Sequence, residues 1–93
     1  MIVITNSTPL IHLSAINKLF LLKERFGEIF IPPAVYDEVV IQSSEEPGSK
    51  EVKDSKWIKS VEVKDRLSIK ILNSDLGLGE SECIVLAKQL NAE

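Results

Sequence analysis

The chain has one cysteine, one histidine, one tryptophan and one tyrosine among its 93 residues. A lone Cys83 forms neither an internal disulfide nor a cysteine zinc cluster, so a reducing, cytoplasmic setting is the expectation. The lone His12 has no serine or cysteine partner motif, which argues against a nucleophile–histidine pair; it reads as a packed or hydrogen-bonded residue of the first helix. Long apolar runs are lacking too. Asn17, Lys18, Lys23 and Glu24 interrupt the richest stretch, which speaks against a membrane-spanning helix, and the N-terminus lacks the pattern of a signal peptide. Nor is there a basic excess: eleven Lys and Arg against fourteen Asp and Glu give a net charge of -3. The chain as a whole therefore lacks the electrostatic footprint of a general nucleic-acid binder. An acidic balance is still compatible with a nuclease that gathers carboxylates around a divalent cation.

What is present is the balance of an ordinary globular protein, 44% apolar and 27% charged, enough for one domain over residues 1–93 with a modest core. Ile2, Val3 and Ile4 make a β-branched run too short for a helix, followed by polar turn residues Asn6, Ser7 and Thr8. A helix is predicted from Pro9 to Asn17, with Thr8 as N-cap and Leu10, Leu13 and Ile16 toward the core. A second short helix spans Leu19 to Phe26 and ends at Gly27. Ile29, Phe30 and Ile31 form a second buried strand. Pro32 and Pro33 open a third helix to about Ile41, burying Val35, Val39 and Val40.

Residues 43–49 read as a loop, Lys50 to Lys56 as a short polar helix, and Trp57 to Val63 as an alternating strand with Trp57 anchored in the core. Asp65 to Asn73 is predicted helical, residues 75–79 a turn, and Glu80 to Leu90 a last helix with Ile84, Leu86, Ala87 and Leu90 as its apolar positions. Cys83 reads as a small core residue. Gly77-Leu78-Gly79 lacks a third glycine and a preceding strand, which argues against a dinucleotide loop. Strands alternating with helices predict a parallel sheet with right-handed crossovers. A ligand would then sit at the carboxyl end of the first strand, beside Asn6.

Three blocks, VITNSTPLI at 3–11, IPPAVYDEV at 31–39 and LGESECIVLA at 78–87, together resemble the PIN-domain family in order and spacing. They are most similar to its small prokaryotic branch, related to the toxins of toxin–antitoxin pairs. The resemblance implies an α/β fold of three α/β/α layers around a parallel sheet of about five strands. It also implies a metal-dependent ribonuclease using clustered acidic residues. Two departures accompany it. Asn6 stands where the family usually has aspartate, and the family's last strands have no counterpart before Glu93, so the sheet is expected to be incomplete and the domain truncated.

Phosphodiester hydrolysis with Mg²⁺ or Mn²⁺ needs hard oxygen ligands converging from different elements, with positions left for water and a phosphate oxygen. Asn6, Glu38, Glu80 and Glu82 are the residues of this type that the resemblance singles out, and Ser7 or Thr8 would orient a ligand or cap the helix. Of the two glutamates on the last helix, Glu82 is favoured as ligand, and spacing does not separate them. Each has a plainer role: a solvated helix position for Glu38, first-turn acids matching the helix dipole for Glu80 and Glu82, turn stabilisation for Asn6. Lys50, Lys53, Lys56 and Lys59 recur every three residues as a basic strip, although the interleaved Glu51 and Asp54 favour a solvated face.

If the family arrangement holds, Ile2 to Thr5 lacks a neighbour on one side, and such an apolar edge invites pairing with another chain. The expected partners are therefore RNA, single-stranded or structured, an antitoxin protein, and further copies of the chain in a homo-oligomer. The competing reading is a catalytically silent PIN-like remnant that serves as a protein-interaction or dimerisation module.

Overall fold

Proline, glycine and asparagine punctuate this chain, and the elements form between them. The structure is a computed structural model that describes residues 2–92, so Met1 and Glu93, where the sheet was expected to stop short, lie outside the described residues. Helix α1 runs Ser7–Ala15. It begins two residues before the predicted start because Asn6, and not Thr8, is its N-cap: the Asn6 side chain accepts the Thr8 N–H at 3.2 Å. Pro9 is accommodated inside the first turn, whose N–H groups have no carbonyl partner in any case. The helix ends before Asn17, which takes a left-handed φ of 57°. Leu10 is fully buried on it, whereas Ile16, expected inward, and His12, expected packed or hydrogen-bonded, are exposed.

Helix α2, Phe20–Phe26, closes at Gly27, where φ is 76° and the glycine N–H bonds the Lys23 carbonyl. Strand β1, Ile29–Ile31, follows, then α3, Pro33–Tyr36, which continues without a break into a π-helix over Asp37–Gln42. Val35, Val39 and Val40 are buried along it as predicted. Helix α4, Pro47–Asp54, begins earlier than the expected Lys50, since proline is at home in a first turn. Strand β2, Ile58–Ser60, α5, Arg66–Leu72, and α6, Leu78–Gln89, complete the order. Asp65 caps α5 by accepting from both the N–H and the hydroxyl of Ser68, which holds its carboxyl below the usual range.

The sheet is parallel, as expected, with β1 paired to β2 in the register Ile29 to Ile58 and Ile31 to Ser60. On the other side of β1, Ile4 forms a single parallel bridge with Phe30, through Phe30 N–H to Val3 O at 2.9 Å and Thr5 N–H to Phe30 O at 3.2 Å. The predicted first strand is thus one bridge long, half-buried rather than buried. The predicted strand over Trp57 to Val63 shrinks likewise, because after Val61 the chain leaves the sheet so that Val63 enters a different core.

Two apolar clusters flank the sheet. Leu10, Leu19, Ile29, Ile31, Val35 and Val39 belong to the larger, against which Val3, Trp57 and Cys83 pack, and Val63, Ile69, Val85 and Leu86 form the smaller, which receives Ile4. Val3 and Ile4 pointing into opposite clusters is the alternation of a strand with helices on both faces. On α6 the buried apolar residues are Val85 and Leu86, while Ile84, expected inward, is 52% exposed. Among the described residues, no helix is long and apolar enough to cross a membrane.

Candidate active site

The end of the Ile2–Thr5 segment, the start of the π-helix and the start of α6 converge on one cleft of about 590 Å³. Asn6, Ser7 and Thr8 line it from the first, Asp37, Glu38 and Gln42 from the second, and Gly77 to Glu80 from the third. This is the carboxyl end of a parallel strand, where α/β sheets open a crevice. Three carboxylates face the cleft and no Lys, Arg or His lines it.

The polar groups here are largely free of protein partners. Among the described residues, Glu38 and Glu80 are exposed and take part in no side-chain hydrogen bond or ion pair. Glu80 lies in the first turn of α6, and a Cβ built on Gly77 would stand 3.4 Å from its Oε1. Its carboxylate therefore folds back over the helix start, where the dipole favours negative charge. Asp37 accepts a 2.5 Å hydrogen bond from Gln42 Nε2, a pairing five residues apart that the wide π-turn allows. Asn6 keeps its capping bond to Thr8, so its plainer role is filled while it stands at the cleft wall.

Of the four residues named from sequence, three meet at this cleft. Glu82, favoured over Glu80 as ligand, lies elsewhere, 3% exposed and lining a smaller pocket with Arg66 and Pro33. Its Oε1 accepts the Ala34 N–H and its Oε2 accepts Arg66 Nη1, each at 2.8 Å. The legible signal was the stripe on α6: Glu82 is three and four residues from buried Val85 and Leu86, and Glu80 is four from exposed Ile84. Sequence reasoning also missed Asp37 and Gln42, which flank Glu38 on the same turn and share its wall.

Cys83 lies behind the two glutamates, half-buried, with Sγ 3.6 Å from the Thr5 carbonyl oxygen. Burial first, then the charges of Glu82 and Glu80, push its thiol up to about 11, the opposite of an activated nucleophile. Lys50 and Lys53 line a separate groove with Tyr36 and Ile41, and Lys59 pairs with Glu28 at 3.9 Å, so the lysines do not line the carboxylate cleft.

Whether the cleft suits a divalent cation turns on its donors. The donor set is hard oxygen, from two unpaired carboxylates and one amide, with uncompensated negative charge, which suits Mg²⁺ or Mn²⁺. Among the described residues, no three His, Cys, Asp or Glu side chains stand close enough to hold a metal ion together. The Asn6 amide and water would complete any coordination, as suits a cation that keeps several waters.

A family profile described as a PIN domain matches residues 2–93. No curated protein and no solved structure matched the chain.

Proposed function

The chain belongs to the PIN-domain family, whose members are generally nucleases, and from that premise we propose that it is a divalent-metal-dependent ribonuclease of the toxin type found in toxin–antitoxin pairs. The observation that carries the reading is the cleft at the strand end, walled by Asn6, Glu38 and Glu80 and free of any basic residue. In this reading Glu38 and Glu80 hold Mg²⁺ or Mn²⁺, and Asn6 contributes its amide oxygen. When bound, the cation lowers the pKa of a coordinated water and offsets charge on the phosphate oxygens. Asn6 in place of a carboxylate leaves one negative charge fewer, so binding is weaker than at an all-acid site. Ser7 and Thr8, which line the cleft beside Asn6, would hydrogen-bond a phosphate or a bound water.

The test is Mn²⁺-dependent cleavage of a mixed-sequence single-stranded RNA by the wild-type chain beside Glu38→Gln and Glu80→Gln prepared identically. Cleavage falls at least a hundredfold in both variants, on the order of one lost electrostatic contact to the reacting phosphate. Equal cleavage in all three overturns the reading.

A second reading, the interaction module, has its own observation. Neither the N–H nor the C=O of Ile4 has a backbone partner among the described residues, and Leu67, Ile71 and Ile84 are exposed on α5 and α6. An open strand edge beside apolar helix surface suits a homo-oligomer or an antitoxin segment. A dilute, monodisperse monomer in light scattering, unable to bind such a segment, counts against it.

A further inference from the structure

Glu82 is the one buried carboxylate among the described residues, with both oxygens paired, and it sits two residues from Glu80, which makes no side-chain bond to them. A buried carboxylate is costly unless it is paired and hydrogen-bonded. Here one oxygen accepts the N–H of Ala34, the second residue of α3, and the other accepts the guanidinium of Arg66, the first residue of α5. The Ala34 N–H is one of those at a helix start that no carbonyl of its own helix satisfies. Glu82 itself belongs to α6, so a single side chain bonds three helices, and α3 and α6 pack directly on each other. Helix α3 leads without a break into the turn bearing Glu38, and α6 begins with the turn bearing Glu80.

We propose that Glu82 is a positioning residue that sets the spacing of Glu38 and Glu80 by holding α3 against α6, with Arg66 as its charge partner, and that it does not ligate the cation. To become a ligand it would have to leave two 2.8 Å bonds and strand a part-buried N–H. The inference rests on the reading of the cleft as a cation site and assigns a different task to the acid that sequence favoured for it.

The experiment is a Mn²⁺ titration, followed by the electron paramagnetic resonance of free Mn²⁺, of the wild-type chain, Arg66→Gln, Glu82→Gln, the double variant and Glu38→Gln. Arg66→Gln and Glu82→Gln each weaken Mn²⁺ binding roughly tenfold, as loss of an outer partner does. The double variant is no worse than either single change, and saturating Mn²⁺ restores RNA cleavage to these variants but not to Glu38→Gln. Tighter Mn²⁺ binding by Arg66→Gln, the result of freeing a ligand from its ion pair, overturns the proposal. A metal-free readout keeps this separate from the function itself: both single variants shift the NMR backbone amide signals of Glu38 and Glu80. Unmoved signals overturn the role of Glu82 even if the chain binds Mn²⁺. Unimpaired Mn²⁺ binding by Glu38→Gln overturns the cation site instead, and the amide signals still decide the role of Glu82.

Discussion

Glu80 and Glu82 differ by two positions on α6 and have opposite surroundings. Glu80 is exposed at a cleft wall with no side-chain partner among the described residues, whereas Glu82 is buried with both oxygens filled. The same contrast separates the cleft from the seam around Glu82: among the described residues carboxylates line the cleft with no basic side chain beside them, and in the Glu82 seam charge and hydrogen bonding are satisfied locally. Groups left uncompensated at a surface crevice are free to take a ligand, and groups already satisfied hold the crevice in shape.

The contrast can be broken most severely at Glu82. Glu82→Ala removes a buried side chain and strands the Ala34 N–H, so urea unfolding shows a loss of about 3 kcal/mol. Next comes the seam of α1 against α4, where a Cβ on Gly48 would lie 2.6 Å from Ser14 Cβ. Both atoms are close to rigid backbone, so Gly48→Ala destabilises by about 2 kcal/mol in the same measurement.

A smaller effect belongs to Cys83. Its thiol keeps its proton in the folded chain up to about 11, against an ordinary 9.0. The unfolded chain releases that proton first, so the stabilising term is whole below about pH 9 and is lost as pH rises toward 11. Melting of the wild-type chain therefore falls more steeply over that window than melting of Cys83→Ala. The smallest changes sharpen the comparison from the cleft side. Glu38→Gln and Glu80→Gln shift stability by no more than about 0.5 kcal/mol, since neither side chain has a partner to lose. On the seam side Ser14→Ala costs as little, because the buried Ser14 Oγ has no hydrogen-bond partner among the described residues. A loss above about 1 kcal/mol in either cleft variant would erase the distinction between cleft and seam.

Much of the architecture was legible because its punctuation is chemical. Gly27 ends α2, the Pro32–Pro33 pair ends β1 and begins α3, and the apolar run at Ile29–Ile31 becomes the buried strand. These signals act within a few residues. The rotation of α6 does not: whether Glu80 or Glu82 turns inward depends on Val85 and Leu86 packing against Val63 and Ile69, and on Arg66 arriving from sixteen residues away. With Ile84 assigned to the core in place of Val85, the spacing carried no signal that separates Glu80 from Glu82. The short reach of the Ile2–Thr5 and β2 pairings was equally illegible, since β-branched composition favours strands but does not say where a neighbour stops.

The π-turn over Asp37–Gln42 gives this part of the chain a tolerance to changes in length. A π-turn is an α-helix holding one residue more than its rise requires, and within it Ile41 is 59% exposed. Deleting Ile41 would let the segment relax toward α-helix, the surplus residue of the π-turn absorbing the loss. Ala34, pinned by Glu82, and Glu38, both upstream, would keep their places, so a lost codon here would give up the Asp37–Gln42 pairing and leave Glu38 at the cleft.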